Sequence, residues 1–490
     1  YQYILVDEYQ DIDQEQYDLI SSLTGRTEQD QDRRLTILAV GDDDQNIYTW
    51  RGTNVKFIRQ FRDDYRAEIH YLMENYRSTL RIIAASNHLI GNNRDRMKTQ
   101  HAIGINKGRE HEPPGGEWED RDPLSRGRVQ LMDAADGYDQ AAALAGELKR
   151  LKELKPDLLW SDCAVMARAH ETLAPIRGLL EYHSIPVVVN LNREKTPSLH
   201  RIREIGLFLN ELKARRTELL RASQLEDLLS RQAADSRGNP WWRLLQEILA
   251  DWTDESGDAE LPIGNAVEAI CESLAEERRE HVLGQGVFLG TVHAAKGMEF
   301  AHVFIPDGGW TRRKDPQERE EERRIFYVGM TRAKETLCLF QRKDVKNPHL
   351  PLLAGDFLLR REGAAIEDAP VEIMQQRYEL LGMQDMFLDF AGRRPLNDPV
   401  HQHLAALQPG SLLTPRTIGE RVEFLDGEGI TVAMLSRSAA KAWLRSARQV
   451  STIRVVAMLR REIKDSGEEF RQYCHCDSWE VPWLEVVFRR

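Results

Sequence analysis

The chain has 490 residues, which at about 150 residues per domain sets an expectation of roughly three domains. Hydrophobic residues make up 41% and charged residues 30%, and no apolar run approaches the roughly 18 residues of a membrane span, so a water-soluble, core-forming protein with no membrane role is expected. A net charge of −12 excludes a surface that is basic all over and leaves room only for a local basic channel.

Five scattered cysteines (Cys163, Cys271, Cys338, Cys474, Cys476) fit a reducing, cytoplasmic setting. With Tyr1 in place of an initiator Met and no signal peptide, the chain reads as the later part of a longer protein. Tyr3-Ile4-Leu5-Val6 predicts a short buried parallel strand that runs into Asp7-Glu8-Tyr9-Gln10-Asp11. At the carboxyl edge of an open α/β sheet such a pair suits nucleotide hydrolysis, one carboxylate holding Mg2+ through water and the other orienting the attacking water. Taken alone, a solvated acidic turn is the commoner meaning of the same residues. Asp13 to Leu23 carries a helical stripe of Tyr17, Leu19, Ile20 and Leu23. Arg26 to Arg34 is a polar loop, and Leu35 to Val40 is a second buried-strand candidate ending in Gly41-Asp42-Asp43-Asp44-Gln45-Asn46-Ile47-Tyr48-Thr49-Trp50-Arg51-Gly52. Gln45 can orient a water or sense a γ-phosphate. Tyr48 and Trp50 offer stacking faces beside the Arg51 phosphate donor, the chemistry of single-strand binding; a loop whose tryptophan plugs the core reads equally well.

Ala67 to Met73 predicts a strand, then Glu74-Asn75-Tyr76-Arg77-Ser78 leads into a helix from Thr79 to Ile90, with Ser78 as N-cap and Arg77 beside an anion-favouring helix start. A capped helix with a surface arginine accounts for those residues too. Gly91 to Gly127, with Pro113-Pro114-Gly115-Gly116, reads as a loop. Strands at 127–132, 162–167 and 185–189 alternate with helices at 139–151 and 173–182, the rhythm of a parallel sheet. Residues 191–285 are dominated by helical patterns, after which strands resume at Val287 to Val292, Val303 to Pro306 and Thr336 to Phe340, with a helix over Pro316 to Glu335. Residues 343–409 show no clear organisation. Arg421 to Leu435 predicts a hairpin round Asp426-Gly427-Glu428-Gly429, and Val450 to Leu459 and Trp483 to Phe488 add strands. Arg437 to Arg490 holds 11 Lys+Arg against 7 Asp+Glu, a hint of an accessory nucleic-acid contact or simply a solvated face. Cys474-His475-Cys476 is too tightly spaced, and lacks the second ligand pair, for a structural metal site.

Taken in order, DEYQD, GDDDQNIYTWRG and ENYRS resemble motifs II, III and IV of the UvrD/Rep-type superfamily 1 helicases. The run Phe288 to Phe300 (FLGTVHAAKGMEF) resembles motif V, and Glu321 to Lys334 (EERRIFYVGMTRAK) motif VI. The resemblance implies roles residue by residue. Asp7 would serve Mg2+, Glu8 would activate the hydrolytic water, and Gln45 would contact the γ-phosphate of ATP. Arg77 and Arg332 match the two arginines that reach that phosphate across the interlobe cleft, and Glu299 matches the ribose contact with Gly297 near the phosphates. Tyr48, Trp50, Arg51, Thr291 and His293 match the track for single-stranded DNA, and the form of the third motif resembles the branch that moves 3′ to 5′ and unwinds duplex DNA.

The implied fold is α/β: two RecA-like parallel-sheet motor lobes, the first incomplete, with a helical insertion and a small C-terminal β-rich domain. The expected boundaries are 1–66 for the end of the first lobe and 67–190 with 286–342 for the second. A short helical insertion at 191–285, a linker or irregular stretch at 343–409 and the β-rich domain at 410–490 complete the division. One departure stands out: no Gly-Lys dipeptide occurs anywhere, so the P-loop that such helicases carry upstream of motif II is not in this sequence. Two functions fit: most of a 3′–5′ DNA helicase motor that needs an upstream P-loop, or a non-hydrolysing DNA-binding or adaptor module derived from one. No nuclease constellation follows motif VI.

Overall fold

The computed structural model describes residues 2–28, 34–49, 52–189, 196–233, 238–280, 286–311, 313–445 and 449–489. It divides into two compact units, residues 1–187 with 286–369 and residues 188–285 with 370–490.

The chain opens with β1 (Tyr3–Val6), α1 (Gln14–Leu23), β2 (Thr36–Ala39) and α2 (Lys56–Tyr65). Asp13 starts α1 with a capping box: its carboxylate accepts the Gln16 N–H at 2.9 Å and the Gln16 side chain accepts the Asp13 N–H at 3.1 Å. With α1 as crossover, β1 and β2 pair in parallel, Leu5 opposite Leu38. Their inner residues Val6, Ile37 and Ala39 pack on Tyr9, Tyr17, Phe57 and Phe61. The other face is open: Tyr3, Leu5, Leu38 and Val40 are exposed. The expectation of fully buried strands is therefore corrected, because α1 and α2 cover one face and no described element covers the other.

Next come β3 (Glu74–Asn75), α3 (Leu80–Ile90), β4 (Gly104–Ile105) and α4 (Trp118–Arg121). Residues 67–73 form no strand; pairing is confined to β3 and β4, because no second strand lies alongside the earlier residues among those described. The supposed loop 91–127 holds β4 and α4, anchored by the fully buried Trp118, whose indole donates to Glu335 at 2.7 Å. Then β5 (Val129–Ala134), α5 (Gly137–Leu154), β6 (Cys163–Ala167), α6 (Leu173–Tyr182) and β7 (Val187–Val189) alternate as the periodicity predicts.

At β7 the chain passes into the second unit: α7 (Arg203–Ala214), β8 (Leu219–Leu220), α8 (Ala222–Gln232), α9 (Pro240–Ser256), β9 (Leu261–Pro262) and α10 (Ile263–Glu280). It returns with β10 (Val287–Thr291), β11 (Phe300–Ile305), α11 (Pro316–Met330), β12 (Ala333–Arg342) and β13 (Leu358–Glu362). These strands complete a seven-stranded sheet in the order β13-β5-β12-β11-β6-β10-β7, with β5, β6, β10, β11, β12 and β13 paired in parallel. Its central strands are near-continuous apolar runs because both faces are covered.

The rest of the second unit is α12 (Val371–Met374), β14 (Arg377–Leu380), α13 (Val400–Ala406), β15 (Leu412–Ile418), β16 (Arg421–Leu425), β17 (Thr431–Met434), α14 (Arg437–Arg445), β18 (Gln449–Glu462), α15 (Glu468–Arg471) and β19 (Ser478–Arg489). Six of these strands form an antiparallel sheet in the order β14-β19-β18-β15-β16-β17. Ala457, Leu459 and Trp483 of that sheet share a core with Trp241, Leu245, Ile248 and Phe208 of the helices, so the helical stretch and the β-rich stretch pack as one body.

Residues 343–409, expected to be irregular, contain β13, α12, β14 and α13. The pattern Leu-Leu-Arg-Arg-Glu hid β13: on an edge strand Arg361 can carry its charge inward, to the Glu147 carboxylate at 2.6 Å and the Gln130 side chain at 2.7 Å.

Candidate nucleotide and strand site

The first carboxylates leave β1 in a turn of unusual backbone. Glu8 has φ 50°, the left-handed region that a side chain adopts at a cost of order 1 kcal/mol. That twist sends the chain into a short 3-10 turn, and the Tyr9 N–H reaches the Val40 carbonyl at 2.9 Å. Asp7 is exposed, and its carboxylate accepts the Glu8 N–H at 2.8 Å. Glu8, also exposed, accepts from the Gln10 side-chain NH2, while the Gln10 side-chain oxygen Oε1 accepts the Asp42 N–H at 2.9 Å. One buried glutamine thus ties the two strand ends together.

Across this turn lies Lys296. Its ammonium bonds to Asp11 and to the Gln45 carbonyl at 3.0 Å, sits 3.8 Å from Glu8 and lies 5.1 Å from the Tyr48 ring centre. Burial pushes the Asp11 carboxyl above its ordinary pKa, with Lys296 opposing. Its second oxygen is buried with no hydrogen-bond partner.

The turn after β2 is a buried acidic triplet. Asp44, with no exposed side-chain surface, takes a two-pronged bond from Arg96 at 2.8 and 2.7 Å, and Lys98 lies 3.5 Å away. Asp42 pairs with Lys98, and burial, which alone would raise its pKa, is outweighed by that ammonium. Asp43 accepts the Met97 N–H at 2.7 Å, and burial followed by the charge of Asp44 pushes its pKa up to about 6. These three carboxylates are the one group among the described residues close enough to share a metal ion. Two of them are already matched by cations of the chain itself, which argues against that use. Their effect is to hold Gln45, whose amide donates to Asp42 at 3.0 Å.

Gln45 then meets the turn that follows α11. Its side-chain oxygen accepts from Arg332 Nη2 at 2.9 Å. Arg332 is 4% exposed, and its other bonds run to the Val328 carbonyl at 3.2 Å, the Met298 carbonyl at 3.3 Å and the Thr331 hydroxyl at 3.3 Å. No carboxylate lies within ion-pair distance of it among the described residues. Burial, and then the neighbouring Arg77, lower its pKa to about 10. Arg77 Nε lies 2.5 Å from Glu299 in an ion pair whose angle leaves that nitrogen without a hydrogen bond, and Lys334 pairs with the same glutamate. Lys334, and then burial and Arg77 in opposite senses, set Glu299 below its ordinary pKa.

Arg77 is aimed by its own turn. The Asn75 side chain accepts the N–H groups of Arg77 and Ser78, both at 2.8 Å, the Ser78 hydroxyl donates to Ala333 O at 2.6 Å, and Thr79 N–H reaches Lys334 O at 3.0 Å. Ser78 is thus not the N-cap: Thr79 holds that position without a side-chain bond, and the serine is drawn to β12 instead.

On the other side of Gln45, the Tyr48 hydroxyl donates to the His293 carbonyl at 3.1 Å, the His293 ring meets the Ile47 carbonyl at 3.2 Å, and the two rings lie 6.0 Å apart. Thr291 ends β10, its hydroxyl accepting the Ala294 N–H at 3.3 Å. Gly297, at φ 89°, stands where an L side chain would be strained, with open space beside it. Trp50 and Arg51 lie outside the described residues.

Gln45, Arg77, Glu299 and Arg332 therefore converge, with Glu8 joined through Lys296, whereas Asp7, among the described residues, bonds only to the Glu8 N–H. Sequence reasoning assigned no role to Asp11, Lys296, Lys334, Asn75, Arg96 or Lys98. Arg96 and Lys98 carried one usable signal: two cations in a polar stretch of a chain that also holds three consecutive aspartates.

Residues 1–66 match the family described as UvrD/REP helicase N-terminal domain, and residues 193–343 match the UvrD-like helicase C-terminal domain. The chain is similar to the DNA helicase II of Haemophilus influenzae, 28% identical over 69% of this chain and 55% of that protein. It is similar to a probable DNA helicase II homolog of Rickettsia conorii, 29% identical over 69% and 60% of the respective lengths. The ATP-dependent DNA helicase PcrA of Staphylococcus epidermidis is 28% identical over 69% and 55%. The chain thus spans 55–60% of the length of these relatives.

Proposed function

On the premise that this chain carries the N- and C-terminal domains of the UvrD/REP-type helicases, we propose that it is most of the motor of an ATP-dependent DNA helicase that steps 3′ to 5′ along one strand and unwinds duplex DNA. The observation that carries the reading is Arg332: a buried guanidinium without a carboxylate partner among the described residues, bonded across the lobes to Gln45. A buried cation of that kind is costly unless an anion arrives, and a nucleotide γ-phosphate is such an anion.

In this reading Gln45 and Arg332 bracket the γ-phosphate, and Arg77 leaves Glu299 to join them, which releases Glu299 for the ribose. Glu8 takes the proton of the attacking water. Asp7, exposed at the strand end, fits a magnesium ion held through water; the ion would offset phosphate charge. The Lys and Ser/Thr of a P-loop are not in this sequence, and the open apolar face of Tyr3, Leu5, Leu38 and Val40 supports a first lobe completed by further chain that brings them. Nucleotide state reaches the strand track because Gln45 and Tyr48 share one turn and Lys296 touches both. The second reading is a DNA-binding module that hydrolyses nothing.

The test is magnesium-dependent ATPase with and without single-stranded DNA. The 490 residues alone should turn over negligibly, and a chain extended by a P-loop segment should show DNA-stimulated turnover. In the extended chain Arg332→Ala should lose about 10³-fold in rate while keeping strand binding. Trp50→Ala should lose about ten- to a hundredfold in strand binding while keeping most ATPase at saturating DNA. An extended chain that stays inactive would favour the second reading.

A further inference from the structure

A cavity of about 520 Å³ in the first unit lies between α11 and the segment that follows β12. It is lined by Arg319 and Arg323 of α11 and by Lys346 and His349 of that segment. Arg319 and Arg323 stand four residues apart on one helix face, where like charges repel. Neither they nor Lys346 has a carboxylate within ion-pair distance among the described residues, and Arg323 Nε is buried without a hydrogen bond. The Arg323 Nη1 group donates to neutral partners, the Asn92 carbonyl at 3.1 Å and the Asn93 side chain.

His349 supplies an independent sign. It is 2% exposed, wedged against Trp310 and Phe326 with ring centres 5.7 and 5.2 Å away, and neither ring nitrogen has a hydrogen-bond partner. A buried imidazole with both nitrogens unmet costs of order 1–3 kcal/mol per group, so its position on a cavity wall is informative. Glu322 is the acidic side chain of the lining, and Arg168 already holds it at 2.9 and 3.2 Å. In a chain of net charge −12 this is a built cationic pocket.

We propose that this cavity is a phosphate-binding site and that it takes a backbone phosphate of the DNA strand. The source follows from position. Glu322 also lines the neighbouring cavity, of about 700 Å³, that contains Ile47, Thr49 and His293 of the strand track. The nucleotide side is farther off: from Arg323 to the end of α11 is roughly 10 Å at 1.5 Å per residue, and Arg332 lies beyond that end. The choice of source rests on the motor reading; the anion site itself does not.

Two titrations of the 490-residue chain test it. Calorimetry with inorganic tripolyphosphate should show binding that weakens at least tenfold in Arg319→Gln/Lys346→Gln. His349→Phe, which keeps the ring packing and removes both nitrogens, should weaken it about three- to tenfold. Fluorescence anisotropy with a labelled 20-nucleotide oligo-dT should show weaker binding by the double variant, with a salt slope shallower by about 1.4 for two lost contacts. Unchanged tripolyphosphate binding in the double variant, or its loss in Arg332→Gln instead, overturns the site. Loss of tripolyphosphate binding with unchanged oligonucleotide affinity and slope overturns DNA as the source and leaves free polyphosphate. If no variant and not even the parent binds oligonucleotide while the tripolyphosphate losses hold, the phosphate site stands and the motor reading fails.

Discussion

Replacing Arg96 by Met should loosen the turn that carries Gln45 while the fold stays intact. Asp44 has no exposed side-chain surface, and Arg96 supplies both of its bidentate bonds, at 2.8 and 2.7 Å. Removing one partner of a buried pair typically costs about 3–5 kcal/mol, because the remaining charge has no solvent. Lys98 stays 3.5 Å from Asp44 and softens the loss, so about 3 kcal/mol is expected. At 1.36 kcal/mol per tenfold this is about a hundredfold rise in local opening. The chain folds as two compact units, so one global unfolding midpoint would blur the effect. Hydrogen exchange read on peptides covering 42–48 isolates it, with a peptide over α9 as the unaffected reference. The double variant Asp44→Leu/Arg96→Met should recover most of the protection, since exchanging a buried pair for apolar groups is close to neutral. If Arg96→Met changes exchange at 42–48 less than about threefold, the pair does not hold this turn and the reasoning fails.

The pKa of Asp43, raised to about 6, means that the folded state binds more protons than the unfolded chain between about pH 4 and pH 6, so its contribution to stability falls as pH rises through that window. Asp43→Asn should therefore match the parent near pH 3.5 and gain about 1–3 kcal/mol of local stability by pH 7.5; an equal difference at both pH values would show that Asp43 does not titrate there. In a chain completed with a P-loop segment, Glu8→Gln should cut hydrolysis at least about 10²-fold while a fluorescent ATP analogue still binds, and near-normal turnover would move the general base to another residue.

The local elements were legible where the apolar pattern along the chain is strong. Tyr3–Val6, Leu173–Tyr182 and Arg421–Leu425 lie within a residue of their expected starts, because a period of 2 or 3.6 is a property of the chain itself. What stayed hidden depends on partners distant in sequence. Nothing near Tyr3 states that one face of β1 is open. Nothing near Leu358 states that a strand rich in arginine can sit at a sheet edge and turn Arg361 toward Glu147.

The strap at residues 92–98 is the clearest case, and it bears on mechanism. It has no apolar rhythm, so it reads as loop. Yet one end is fastened to α11: the amides of Arg94 and Asp95 donate to the Glu320 carboxylate at 2.8 and 3.0 Å, and Arg324 reaches the Asp95 carbonyl at 2.6 Å. The other end, Arg96 to Lys98, clamps the acidic triplet beside Gln45. The helix that leads to Arg332 and the turn that presents Gln45 are thus joined both directly through side chains and through this strap. A change in the Arg332–Gln45 bond therefore cannot displace the turn freely; it must work against, or move with, a buried ion pair. On the proposed function, that constraint would convert a small shift at the nucleotide phosphate into a defined movement of Tyr48 and the residues proposed to hold the strand. Loosening the strap should accordingly spare ATP binding and blunt the dependence of ATPase on DNA in a completed chain. Arg96→Met with undiminished DNA stimulation would show that the direct contact alone carries the coupling.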